Sequence, residues 1–362
     1  MKSSGTSLLF LEKVFLRARA DVPLRGVELF NLALLRDLAK LGYRIEMPVV
    51  RSWESTVRAE LGEHAPVLVT VPDMGACAVH ALVAGARLLG RRYDVLLLGN
   101  VGKSLAPLIR LLWRARTFEE CVLIAHREAT PGFARLCARL PGHVVAVNGQ
   151  IAELFRRLGH PQVAVDYGVV GADAYYPAEP GAEPERGPVR FCVFGVLENA
   201  WKGADTAIAA YKQLPQEVRE NCELHLAAYA EPPAWSEPGI KTYTWMDGSE
   251  VAAFLRSMDV LVVPSRDEQV MRETFSQVMV QGMLTGLPVL ASDLPILTEK
   301  LDQGGGLICS DAAELADAMG QVAGDAVLRR RLGEEARATA LERYVWDTAR
   351  FARRYLSAGG RT

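Results

Sequence analysis

Short apolar runs alternate with amphipathic stretches along the whole chain. The runs Leu8–Phe10, Ile45–Val50, Val67–Val71, Val95–Leu98, Val122–Ala125 and Val144–Val147 have the length of buried strands. Apolar residues at helical spacing fill Val27–Leu41, Cys77–Leu89, Leu105–Trp113 and Ile151–Leu158 between them. Further on, strands are predicted at Val189–Phe194, Glu223–Ala228, Lys241–Thr244, Val260–Pro264 and Pro288–Ala291. Helices are predicted at Ala204–Leu214, Glu250–Ser257 and Thr274–Leu284, and residues 312–357 are helix-compatible almost throughout. Alternating strand and helix implies an α/β chain of parallel sheets covered by helices on both faces.

One segment breaks the rhythm. Pro177–Pro188 carries four prolines, two glycines and three acids, the composition of an exposed linker. It divides the 362 residues into two halves of domain size. The expected organisation is a first Rossmann-like, doubly wound domain over residues 1–176, a linker at 177–188, a second over 189–340, and a helix over 341–362 that crosses back to the first. Such sheets bind ligands at the carboxyl ends of their strands, so a cleft between two of them is the expected site.

Composition narrows the partners. Lys and Arg total 41 against 43 for Asp and Glu, a formal charge of −2, which supplies no global field for nucleic acid. None of the six cysteines forms a CxxC pair. Cys77 with His80 and Cys222 with His225 have CxxH spacing, but each pair lies in an apolar run, so free, mostly buried thiols are expected rather than zinc ligands. Glu12 and Lys13 interrupt the first apolar run too early for a signal peptide, and no apolar stretch is long enough to span a bilayer. The expectation is a cytoplasmic protein. Ser104–Arg116, with Leu, Ile and Trp among arginines, could touch a membrane surface, although a domain helix with one buried face explains it better.

The densest chemistry lies in Asp259–Pro295. A buried strand ends at Pro264-Ser265, a polar loop follows, and a helix is expected to open at about Glu273–Phe275 and stop at Gly286-Leu287-Pro288. A helix N-terminus at the carboxyl end of a parallel sheet suits a phosphate. Gln281 follows Glu273 by eight residues, about two turns, which places both on one face of that helix.

The stretch resembles the family 4 (group 1) retaining glycosyltransferases. Pro264-Ser265, Glu273 and Gln281 with seven residues between them, Gly286-Leu287-Pro288-Val289 and Ala291-Ser292 keep that family's spacing. Phe194-Gly195…Lys202-Gly203 resembles its GR…KG motif. Val147–Leu158 followed by Gly171-Ala172-Asp173 resembles its crossing into the second domain, and Gly306-Leu307-Ile308 its GLLV strand. The resemblance implies the GT-B fold: two Rossmann-like halves around a cleft, an NDP-sugar (UDP or GDP) held mainly by the second, transfer with retention, and no essential metal or other cofactor. The chain contains no Asp-x-Asp triplet to hold a metal on a diphosphate.

The resemblance also assigns roles. His126, Lys202 and Glu273 are the expected catalytic residues: Lys202 on the diphosphate, Glu273 on hydroxyls of the transferred sugar, His126 near that sugar. Gly26, Gly195, Thr274, Phe275, Gln281, Trp245 and Met246 are the other expected donor-binding residues, with Gln281 replacing the acid that binds ribose. Arg127 and Glu128 could contact donor or acceptor. Val196 stands where the family carries an arginine that clamps the diphosphate, and Arg272 or Arg266 is expected to replace it. The acceptor, whether sugar, lipid-linked or small molecule, is left to the loops Arg19–Arg25, Arg51–Glu54, Pro72–Ala76 and Asn100–Ser104. A sugar phosphorylase or epimerase would need acid/base groups that the sequence does not display. The changes at Val196 and Gln281 leave a non-catalytic, glycosyltransferase-like binding protein open.

Overall fold

The computed structural model describes residues 5–18, 24, 26–178, 187–228, 235, 237–244, 246, 248–267 and 273–356. The chain forms two compact units, Met1–Val170 with Asp347–Thr362, and Gly171–Trp346. The division falls ahead of Pro177 because Tyr175 and Tyr176 are bound by the second unit: Gln281 donates to the Tyr175 hydroxyl at 2.8 Å, and the Arg256 guanidinium stacks on the Tyr176 ring. Of the Pro177–Pro188 segment, residues 179–186 lie outside the described residues.

The first unit runs β1 (Ser7–Leu11), α1 (Gly26–Lys40), β2 (Arg44–Val50), α2 (Arg51–Leu61), β3 (Val67–Val71), α3 (Cys77–Leu88), β4 (Tyr93–Leu98), α4 (Ala106–Arg114), β5 (Phe118–Ala125), α5 (Pro131–Cys137), β6 (Gly142–Ala146), α6 (Gly149–Arg157) and β7 (Val163–Val165). Its seven strands are parallel in the order β3-β2-β1-β4-β5-β6-β7. The second runs β8 (Val189–Gly195), α7 (Ala204–Gln213), α8 (Gln216–Arg219), β9 (Cys222–Ala228), β10 (Ile240–Tyr243), α9 (Gly248–Arg256), β11 (Val260–Val263), α10 (Gln277–Thr285), β12 (Val289–Ser292), α11 (Pro295–Thr298), β13 (Gly306–Cys309), α12 (Ala312–Gly324) and α13 (Ala326–Arg343). Its six strands are parallel in the order β10-β9-β8-β11-β12-β13. A last helix, α14 (Thr348–Tyr355), packs on α1 in the first unit, where Arg350 meets Asp166 at 3.1 Å.

The central strands of both sheets, such as β1 and β11, are buried on both faces, which is why they read as unbroken apolar runs. In the second unit Phe191, Val193, Leu224, Leu226, Val260 and Val262 turn to α7 and α12. On the opposite face Gly282 of α10 lies against Leu261, an approach that a side chain at 282 would block. The six cysteines are free thiols, five of them buried. Their CxxH histidines serve the fold: His80 Nε2 accepts from the Met74 amide at 2.8 Å, and His225 bonds Tyr243 and Glu223.

Three expectations change. Arg51–Glu54 is not a loop but the first turn of α2, which buries Trp53, Val57 and Leu61 on one stripe. The stretch 312–357 is three helices, interrupted where Tyr344 and Trp346 turn inward. The helix expected from Thr274 begins only at Gln277. The Ser104–Arg116 segment forms α4, which spends Ala106, Leu108, Ile109 and Leu112 on the core and leaves Arg110, Leu111 and Arg114 outside. Among the described residues no helix is long and apolar enough to cross a membrane.

Candidate functional site

Each sheet reverses its strand order once, between β1 and β4 and between β8 and β11. At such a reversal the flanking loops run in opposite directions and leave a crevice at the carboxyl ends of the strands. The residues with unusual polar chemistry gather at these two places.

In the second unit, β8 ends at Gly195, whose φ of 138° suits glycine and whose missing side chain faces open space. The chain then makes a single tight turn, Ala200–Lys202, closed by Gly203 at φ 72°. A Cβ on Gly203 would run into the Pro264 carbonyl, so only glycine lets this turn sit against the end of β11. Arg266 braces the turn from the other strand. Its amide donates to the Trp201 carbonyl at 2.7 Å, and its guanidinium donates to the Ala200 carbonyl at 3.0 Å and pairs with Asp205.

The turn delivers Lys202 to Glu273. Lys202 Nζ lies 2.6 Å from Glu273 Oε2 and 4.3 Å from the centre of the Trp201 ring, with its side chain 15% exposed and that of Glu273 9% exposed. Glu273 Oε1 accepts from the Ser276 amide at 3.1 Å, and Ser265 Oγ donates to Oε2 at 3.5 Å. Ser276 sits at φ 60°, ψ 71°, a left-handed backbone that costs a non-glycine residue about 1 kcal/mol or more. That kink turns its amide back onto the carboxylate and delays α10 to Gln277. Glu273 therefore lies in the loop ahead of the helix and does not share a helical face with Gln281. Gln281 on α10 is committed instead to the Tyr175 hydroxyl.

The remaining expected donor residues are spread more widely. Phe275 is buried, its ring 6.0 Å edge-on from Tyr344, so its side chain belongs to the core rather than to a ligand surface. Thr274, half-buried, lies between it and Glu273, and Met246 is half-buried just beyond β10. Trp245 and Arg272 lie outside the described residues. Val196 is half-buried directly after β8, and Arg266 is bound to Asp205 and Ala200 as described.

Lys300 escaped the sequence reading altogether. It follows α11 and is 1% exposed, its ammonium donating to the Ile296 carbonyl at 3.0 Å and facing the rings of Phe275 and Tyr344 at 4.6 and 5.2 Å. Burial pulls its pKa down to about 8, against the opposing pull of Glu299 and Glu273.

In the first unit His126 follows β5 directly. It is buried, set edge-on to Phe30 and Tyr167 at 5.5 and 5.4 Å, and among the described residues its Nε2 has no hydrogen-bond partner. Burial, aided by the charge of Arg127, pushes its pKa down to about 3, so the imidazole is neutral at physiological pH. Arg127 and Glu128 are exposed beside it, and Gly26 is the first residue of α1.

Glu12 is a second group that the sequence reading passed over. It follows β1 at the strand reversal, is 1% exposed, and accepts a hydrogen bond from Asn31 Nδ2. Both side chains press on Gly99, where a Cβ would come within 2.7 Å of Asn31 and 2.8 Å of Glu12. Burial, with Glu28 adding to it, raises the Glu12 pKa to about 8, and among the described residues its Oε1 lacks a partner. Among the described residues no group of His, Cys, Asp and Glu has the arrangement of a metal site.

A family described as "Glycosyl transferases group 1" matches residues 188–325. Over those residues the chain is similar to that family. The segment includes Gly195, Lys202, Glu273 and Gln281, so both members of the ion pair lie within the matched residues. Phosphatidyl-myo-inositol mannosyltransferase of Mycobacterium leprae is 38% identical over 105 residues, which cover 28% of this chain and 27% of that protein. The chain spans well under half the length of the curated relatives it matches. Among solved structures, sucrose-phosphate synthase from Thermosynechococcus elongatus superposes with a TM-score of 0.73 at 17% identity, covering 96% of this chain and 97% of that one. HepE of Anabaena, crystallised with UDP and glucose, gives 0.71 at 17% identity over 96% and 98%. The likeness shows the fold: two Rossmann-like parallel-sheet units, as in the GT-B glycosyltransferases.

Two outcomes test the geometry. Glu12 has a raised folded pKa, so its burial costs nothing below pH 4.5, and the cost grows as pH rises and is complete above about 8. Glu12→Gln is expected to match the parent protein in thermal unfolding at pH 4.5 and to exceed it at pH 9 by an amount worth roughly 2–4 kcal/mol. A constant difference across that range would contradict a protonated Glu12. Gly203→Ala is expected to lose about 2–4 kcal/mol in urea unfolding, from backbone strain plus the clash with Pro264. A loss under about 0.5 kcal/mol, the usual range of a neutral surface change, would show that the turn is not fixed by this contact.

Proposed function

We propose that the chain is a glycosyltransferase that moves a sugar from a nucleoside diphosphate sugar (UDP or GDP) to an acceptor hydroxyl, with retention of configuration and without a metal. The observation that carries this reading is the Lys202–Glu273 pair at the strand reversal of a group 1 domain. The named activity of the mannosyltransferase relative and the UDP and glucose bound to HepE support the donor class.

The chemistry follows from the side chains. A diphosphate is an anion that competes with Glu273 for Lys202. Once it binds, Lys202 neutralises charge that grows on the leaving group as the glycosidic bond breaks. Glu273, released from Lys202 but still held by the Ser276 amide, accepts hydroxyls of the transferred sugar. His126 contributes a neutral imidazole whose unpartnered Nε2 can bond a hydroxyl, and its low pKa removes it as a cation. Transfer on the face that the diphosphate leaves lets a diphosphate oxygen take the acceptor proton, so no side-chain base is required. The acceptor, a sugar, a lipid-linked saccharide or a small molecule, is taken by the first unit. We place the protein in the cytoplasm, with peripheral contact to anionic lipid through α4. Arg110 and Arg114 face outward there with Leu111, and Leu82 of α3 lies one turn from Gly85, the point of contact with Leu111.

Release of free nucleotide from UDP- and GDP-sugars, in EDTA and with or without acceptors, tests the reaction. Product NMR reads the anomeric configuration. Lys202→Met is expected to lower kcat by about 100-fold or more while the fold is retained. Failure of every nucleotide to bind would favour a glycosyltransferase-like binding protein, and an inverted product would refute retention. Flotation with phosphatidylglycerol vesicles is expected at low salt and to be lost in Arg110→Glu/Arg114→Glu; no flotation at low salt removes the membrane contact.

A further inference from the structure

The pair that makes the second unit reactive also creates a difficulty. Lys202 serves Glu273 in the ligand-free protein, and a bound diphosphate takes it away. Glu273 is then a carboxylate with its side chain 9% exposed and its counter-charge engaged elsewhere. A poorly exposed carboxylate held by an amide but left without a counter-charge is strongly disfavoured. Arg266 is no substitute, since Asp205 and the Ala200 carbonyl hold it.

Lys300 is placed to help. Its ammonium is buried, with a single hydrogen bond among the described residues, to Ile296, and its charge rests on the ring of Phe275, two residues beyond Glu273 and next to the left-handed Ser276. Tyr344 closes the cage from the end of α13, its own hydroxyl buried and without a partner. A lysine is an expensive choice for filling an apolar gap, where methionine or leucine would serve without desolvating a charge.

Resting on the donor-binding role proposed above, we infer that Lys300 is a positioning residue for the donor loop: its ammonium pins Phe275 from the inside, holds the Ser276 kink, and supplies a standing positive charge near the Glu273 carboxylate when the diphosphate engages Lys202. The charged and titratable groups around it are Glu299 on its own turn, Glu273 on the donor loop, and Arg343 and Tyr344 at the end of α13, with Arg343 bound to Asp302 at 2.6 Å. Lys300 loses its proton near pH 8, so nucleotide affinity falls on the alkaline side.

Two measurements test this. Calorimetric titration with UDP and with GDP is expected to show affinity falling about tenfold between pH 7 and pH 9. Lys300→Met is expected to bind weakly and with little pH dependence, and Lys300→Arg to hold its affinity at pH 9. Lys300→Met binding as tightly as the parent protein at pH 7, or keeping the same alkaline fall, would overturn the role. Hydrogen exchange of the ligand-free protein gives an answer that needs no nucleotide. The amides around Ser276 are expected to exchange faster in Lys300→Met, and unchanged protection would overturn the proposal. Faster exchange without binding of any nucleotide would instead refute the glycosyltransferase reading and leave the positioning role standing.

Discussion

The ion pair between Lys202 and Glu273 draws together the end of β8, the end of β11 and the approach to α10. Neither partner lies on a regular element. Lys202 is held by a turn that only Gly203 permits against Pro264, and Glu273 by an amide that the kink at Ser276 directs inward. Two local backbone costs therefore support one electrostatic contact. A pair this poorly exposed gains from a low local dielectric but loses heavily if either partner leaves alone, so it favours exchange of one anion for another over simple opening. A diphosphate satisfies that condition, and a neutral ligand does not.

Burial explains which parts of this arrangement were legible in the sequence. Strands with apolar residues on both faces, such as Val260–Val263, announced themselves to within a residue or two, because each position contributes to the signal. The three-residue β7 and the single-stripe helix α2 offered too few positions, and α2 was hidden by the polar residues that face outward from it. The spacing of Lys202, Gly203, Glu273 and Gly286 was readable because glycine requirements and motif spacing survive in one dimension.

The start of α10 was not readable, for a definite reason. Left-handed backbone is signalled by glycine or asparagine, and here serine occupies it. A sequence reader places the helix start at the first acid, Glu273, and so puts Glu273 and Gln281 on a common face. The kink separates them, and Gln281 meets Tyr175, more than a hundred positions earlier in the chain. Contacts of that separation are tertiary facts, as is the burial of Glu12 and Lys300. In one dimension a lysine beside Glu299 and an acid at the end of β1 look like ordinary surface charges.

Protonation state distinguishes the two strand reversals. At the first, burial leaves His126 neutral and raises Glu12 until it is largely protonated at pH 7, so the floor beneath Gly99 and β5 presents uncharged polar groups. At the second, Lys202 and Glu273 face each other as charged partners. An uncharged polar floor costs little desolvation when a neutral hydroxyl displaces water from it, whereas a charged group buried there has to be matched by a counter-charge. A charged pair does the reverse: it discriminates for a ligand that can replace one of its members. Two sheets with the same single reversal of strand order are thus given different local electrostatics by the burial of a few ionisable groups, uncharged polar atoms at one and an ion pair at the other.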